Sequence, residues 1–190
     1  SYQEVVMPGS VKNLNEMEGV TELDGQLSFS GQSTLINEPF ILNQGQELVI
    51  FPGQSINFEE NGSIVCEGQV VAEGTKDLPI TISAVKNAFF LNKGGLKLTN
   101  AQLIGKDHFV QAKHSKIELE EIAVADFATF LIGSGNEVMM NDVRMGSVGE
   151  VCTSDSSSIL IVDSDFKKCE ELFKAKSSVL KLVRTSAKDG

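Results

Sequence analysis

From residue 88 to the end of the chain, short runs of alternating apolar and polar residues superpose at a step of 21 residues without a gap. The segments "GLKLTNAQL", "KIELEEIAV", "EVMMNDVRM", "SILIVDSDF" and "VLKLVRTSA" are five copies of one unit. One apolar column reads Leu96, Ile117, Val138, Ile159, Leu180, and a second, two positions on, reads Leu98, Leu119, Met140, Ile161, Leu182. A third reads Ala101, Ile122, Val143, Ser164, Thr185, and a fourth Leu103, Val124, Met145, Phe166, Ala187. Earlier in each unit stands Phe89, Val110, Leu131, Cys152, Phe173, followed two places later by Leu91, Ala112, Gly133, Ser154, Ala175. Alternation at period two sends every second side chain to one side of a strand. Each unit therefore predicts three short strands, and each column predicts a ladder of like residues stacked in the interior.

Polar columns separate the apolar ones. Gly94, Ser115, Asn136, Ser157, Ser178 form one, and Asn100, Glu121, Asp142, Asp163, Arg184 another. Small and polar residues suit the backbone angles of tight turns, so both columns are read as corners. A leucine-rich repeat has a similar period, but its L-x-x-L-x-L-x-x-N signature is absent and each unit carries three apolar patches. A helical repeat conflicts with β-branched residues alternating at period two. The predicted fold is all-β, a right-handed parallel β-helix with three short strands per coil and about 21 residues per coil.

Before residue 88 the same style continues with less regular spacing, in "LSFSG", "PFILNQG", "LVIFPG", "SINFEENG", "SIVCEG", "VVAEG" and "PITIS". These are expected to form the first two or three coils, one of them with a longer loop at "TKDLP". Further upstream, Val11, Leu14 and Met17 lie three apart behind Ser10, a signal for a short helix or turn over the first coil. The division expected is an N-terminal cap segment over 1–25 and a β-helix domain over 26–190. An open solenoid end needs a cover, or its strands pair with another chain. No such cover is evident at Gly190, so the native chain continues there or the end is buried in an assembly.

Composition narrows the partners. A formal net charge of −10 and no basic block argue against nucleic acid and anionic membrane. The sequence has no run of eighteen apolar residues and no signal peptide, and it starts at Ser1 without methionine, so targeting segments have been cut away on this reading. Three cysteines, Cys66, Cys152 and Cys169, have no zinc-type spacing and are read as buried thiols, with a Cys152–Cys169 disulfide as the alternative.

The segment from Asn37 to Ala84 resembles the opening coils of bacterial right-handed parallel β-helix repeat proteins. In that pattern an apolar strand leads to P-G, then a strand ending in Phe, a glycine turn, and G-x-L-x-A-x-G-T-x-x-x-P-I-x-[IF]. Pro52-Gly53, Ile56, Phe58, Gly68, Ala72, Gly74-Thr75 and Pro79-Ile80 match it. The resemblance covers about a quarter of the chain, extended to the end by the 21-residue units. It implies a module of a secreted or cell-surface protein, extracellular or in the bacterial cell envelope. A fold, however, does not carry a function by itself.

For an enzyme acting on polysaccharide, the acidic column Glu121, Asp142, Asp163, with Glu120 and Asp165 nearby, is the candidate cluster, either as an acid and base pair or as a calcium site. No other cofactor is implied. Carboxylates on neighbouring coils lie roughly 4.8 Å apart and repel by about 1 kcal/mol even in bulk water. Arg184, one coil below Asp163, and Arg144, one coil above Asp165, are the expected compensating cations. Exposed aromatic platforms for sugars are scarce, since the chain has no Trp and a single Tyr near its start. His108 and His114 fall in turn regions without metal spacing, and Thr153–Ser158 reads as a turn without a histidine partner.

A stronger lead is apolar surface. In the strands of the Leu96 column, the outward positions are polar in the first two units and become apolar from Met139 onward. Met139, Leu160, Val162 and Val183 are therefore predicted to form one interface patch. The expected function is a non-catalytic structural or binding module, a rigid spacer or a contact surface for another protein chain, a flanking domain or a second copy. The alternatives are a polysaccharide-binding or polysaccharide-acting β-helix using the acidic turns, and a cytoskeletal β-helix that polymerises end to end.

Overall fold

The computed structural model describes residues 6–188 and shows the expected architecture. It is all-β, 64% strand, with parallel sheets stacked as a β-solenoid of about 8 turns and about 21 residues per turn. Tyr2 and Gly190 lie outside the described residues. The apolar columns are ladders of paired residues. Leu96 pairs with Ile117, Ile117 with Val138, Val138 with Ile159 and Ile159 with Leu180. Phe89, Val110, Leu131, Cys152 and Phe173 pair in sequence on another face, and Leu103, Val124, Met145, Phe166 and Ala187 on the third. A 21-residue period becomes a spatial neighbour because a parallel coil returns to the same angular position once per turn.

One face is a continuous ladder that includes Asn87–Asn92, His108–Lys113, Thr129–Ser134 and Glu150–Asp155. The other two faces are joined in single long strands, Gly95–Gly105, Lys116–Ala125 and Glu137–Gly146, each bent at one residue. That residue is Asn100, Glu121 or Asp142, with φ of +49°, +54° and +49°, and Asp163 and Arg184 take the same angles in the next coils. The left-handed conformation is tolerated by Asn and Asp and costs other residues about 1 kcal/mol or more. It turns the strand through a corner while leaving the ladders on both sides intact.

The other polar column differs from its expected role. The left-handed residues at that corner are Lys93, His114, Gly135, Ser156 and Ser177, one position before it. Ser115, Asn136 and Ser157 themselves point inward and are buried. They form a vertical chain of hydrogen bonds. The Ser115 N–H donates to Asn136 Oδ1 at 2.9 Å, the Asn136 N–H to Ser157 Oγ at 3.0 Å, and the Ser157 N–H to Ser178 Oγ at 3.0 Å. Asn136 Nδ2 also donates to the Ala112 carbonyl at 3.0 Å. Gly133 makes room for this, since a Cβ there would lie 1.9 Å from that carbonyl oxygen.

Before residue 88 the coils are of unequal length, with Phe40 paired to Ile64, Ile64 to Phe89, and Val70 to Leu96. The loop Gly74–Pro79 is inserted between two strands of one coil and closes on itself. The Thr75 N–H donates to the Leu78 carbonyl, and Thr75 Oγ1 accepts the Leu78 N–H, both at 3.1 Å. At the N-terminal end, Leu14 opens a single 3-10 turn, Leu14–Glu16, and is fully buried against the first coil. The strand Val20–Leu23 pairs antiparallel with Gln26–Phe29.

The core also holds an aromatic stack in which Phe109, Phe127 and Phe130, outside the columns read from the sequence, join Phe89 of one column. Phe109 and Phe130 stack with ring centroids 5.1 Å apart and 9° between planes. Phe89 and Phe127 meet Phe109 edge-on, both at 5.6 Å. Gly105 accommodates the Phe127 ring, which a Cβ would approach to 2.1 Å. Offset and edge-to-face rings add about 0.5–1.5 kcal/mol per pair beyond their buried area.

Candidate functional site

The loop Gly74–Pro79 stands beside the bend at Asn100, Glu121 and Asp142. A groove of about 380 Å³ runs along it, walled by Thr75, Lys76 and Pro79 on one side and lined by Glu121, Asp142 and Arg144 on the other. The stretch Gly74–Pro79 is thus both a connection within one coil and a wall of this groove. Two of the three acidic candidates, Glu121 and Asp142, stand in it on successive coils. The third, Asp163, is held by Arg184, whose Nε and Nη2 donate to its two carboxylate oxygens at 2.5 and 2.7 Å. This hydrogen-bonded guanidinium keeps the Asp163 carboxyl below the usual carboxylate range.

Arg184 therefore pairs across the coils as expected, but Arg144 does not. Arg144 Nη2 reaches Asp142 Oδ1 within its own coil at 3.2 Å. Asp165, its cross-strand neighbour, instead accepts from Ser186 Oγ at 2.5 Å and lies 3.1 Å from Lys167 Nζ. These two contacts, Ser186 first, hold the Asp165 carboxyl below its usual range. Two residues along a strand bring Arg144 and Asp142 close enough to meet around the bend, and the serine hydroxyl fills the site left at Asp165.

Chemically, the groove offers carboxylates and cations side by side in an open, solvated corner. Among the described residues no three His, Cys, Asp or Glu side chains converge as metal ligands. Asp142 is ion-paired with Arg144 and its side chain is 43% exposed. The groove is suited to holding a small polar or mixed-charge ligand.

The remaining candidates are dispersed. His108 opens the strand His108–Lys113, its Nδ1 2.9 Å from Asp107 Oδ1. His114 occupies a left-handed corner under Gly135. The run Thr153–Ser158 is only partly a turn, because residues 153–155 end the strand Glu150–Asp155, and among the described residues the buried Ser154 Oγ has no hydrogen-bond partner. All three cysteines are free. The Cys152–Cys169 disulfide does not form because the residue stacked on Cys152 is Phe173, a full coil onward. Burial pushes the Cys66 and Cys152 thiols up to about 12, and Cys169 is shifted upward for the same reason.

The apolar positions come together on the outer surface. Met139 pairs with Leu160, and Val162 with Val183, while Leu160 and Val162 share the outward side of the strand Ser158–Val162. Met139 is exposed at 39% and the other three are half-buried. Glu118 and Lys181 bound the Met139–Leu160 column above and below. The four residues form one continuous patch with a polar rim, Asn141 standing beside Val162. Among the described residues no helix is long and apolar enough to cross a membrane. Comparison with protein-family models, with curated proteins and with solved structures gives no match for this chain.

Proposed function

We propose that this chain is a non-catalytic structural and binding module, a rigid β-helix that contacts another protein through the outward face of Met139, Leu160, Val162 and Val183. The observation that carries this reading is the contiguity of those four side chains across three coils, bounded by the polar residues Glu118, Asn141 and Lys181. A contiguous apolar patch with a polar rim is the usual form of a protein contact. The resemblance of Asn37–Ala84 to bacterial β-helix repeat proteins supports placing the module in a secreted or cell-surface protein. Light scattering after chromatography on the wild type and on Leu160→Asp tests the contact. A mass above one chain that Leu160→Asp lowers supports it. A single-chain mass in both sinks it.

A second reading is binding of an acidic oligosaccharide in the corner groove, favoured by Lys76 and Arg144 beside Glu121 and Asp142. Titration with oligogalacturonate, with and without calcium, would raise the melting temperature by several degrees if this groove is the site, through preferential binding to the folded state. No shift in either condition removes that reading.

A further inference from the structure

The outward column through the apolar patch changes sign along the solenoid. It reads Glu118, Met139, Leu160, Lys181, one residue per coil, each paired with the next. A carboxylate and an ammonium thus stand at equal heights above and below two apolar side chains. Lys181 is exposed, and among the described residues it enters no ion pair. Glu118 is half-buried beside Lys116, whose Nζ lies 2.8 Å from its carboxylate.

Such a column is complementary to itself in reverse order. A second copy laid face to face and turned about an axis parallel to the strands, passing between Met139 and Leu160, reverses the coils but keeps each column opposite itself. Glu118 then faces the second copy's Lys181 and Met139 faces its Leu160, and both contacts recur on the other side of the axis. In the column beside it, Asn141 meets Val162 and Glu120 meets Val183. On the opposite flank Glu137 meets Ser158 and Lys116 meets Val179, so none of these columns sets like charges against each other. Turning the copy about the solenoid axis instead would set Glu118 against the second copy's Glu118 or Glu120, and like charges opposed across a contact disfavour it.

We propose that the partner of this face is a second copy of the chain, held antiparallel in a two-fold dimer with Glu118 of each copy against Lys181 of the other. This rests on the reading of Met139, Leu160, Val162 and Val183 as a protein contact, and adds the partner and its orientation. A two-fold contact of one surface with itself closes at two copies. From strand and residue spacings the four strands from Glu118 to Lys181 cover roughly 20 by 16 Å. That is the size of a weak interface, so the dimer forms at high protein concentration.

Sedimentation velocity on the 190-residue chain, at concentrations up to about 0.5 mM, is the test. The expected mass rises from one chain to two and stops there. Glu118→Lys and Lys181→Glu should each raise the dissociation constant by roughly tenfold or more, because each sets like charges opposite each other twice. An equimolar mixture of the two variants should dimerise as the wild type does, since every reversed charge then meets an opposite one. A chain carrying both changes should do the same. Circular dichroism checks that each variant keeps the wild-type fold. A single-chain mass at every concentration overturns the contact and the dimer together. A mass that Leu160→Asp lowers but the charge reversals leave unchanged, or that the mixture fails to restore, keeps the contact and overturns this arrangement. Growth beyond two copies overturns it as well.

Discussion

The side-chain oxygen of Asn136 accepts the buried backbone N–H of Ser115, 2.9 Å away and one coil earlier, while the same side chain donates to Ala112. Removing the amide leaves a buried donor and a buried acceptor without partners. Asn136→Ala is expected to cost about 2–4 kcal/mol, measured by urea unfolding, because each orphaned group carries its full desolvation penalty. Ser154→Ala should behave oppositely. Its hydroxyl is buried and has no partner among the described residues, so the change should be neutral or stabilising by up to about 1 kcal/mol.

The stacked pair Phe109 and Phe130 sits at the centre of the aromatic cluster, both rings fully buried. Phe130→Ala is expected to destabilise by about 3–5 kcal/mol through lost burial and a residual cavity. Phe130→Leu should recover part of that loss. An Ala variant as stable as the wild type in chemical denaturation would show that the rings are not packed as described.

Acid should weaken the coil in a defined window. Glu150 is held below its ordinary value of 4.5 chiefly by the Lys174 ammonium, and Asp163 and Asp165 below 3.8 by the Arg184 guanidinium and the Ser186 hydroxyl. Carboxyls with lowered folded values stabilise at pH above their unfolded values, and that contribution disappears as pH falls through the lowered ones. The melting temperature should therefore drop as pH falls below about 4.5. The drop should be shallower in Glu150→Gln with Asp163→Asn, although screening at these exposed sites keeps the difference small.

Thiol chemistry should sort the cysteines by depth. Cys66 and Cys152 are buried with thiols pushed up to about 12, so neither presents a thiolate at pH 8. Cys169 is only half-buried. A disulfide-exchange reagent at pH 8 should label Cys169 slowly and the other two only after unfolding. Rapid labelling of all three in the native protein would contradict the packing.

The columns were legible in the sequence because a parallel coil converts a fixed step along the chain into direct contact. Leu96 and Ile117 are neighbours for the same reason that they align in the repeat. The bend column was legible as well, since Asn100, Asp142 and Asp163 are residue types that accept left-handed angles. From the same spacing the outward run of Met139, Leu160, Val162 and Val183 could be placed on one face, because alternation and period together fix both side and height. What spacing could not supply was the direction of a polar side chain at a corner. Ser115, Asn136 and Ser157 turn inward because the residue before each takes the left-handed angle, and that choice depends on how the corner closes over Gly133 and Ala112. The partner of Arg144, the wall that Thr75 and Lys76 give the groove, and the stacking of Phe109 on Phe130 were likewise decided only in three dimensions. Each depends on the angle between faces and on rotamers, which a one-dimensional period leaves free.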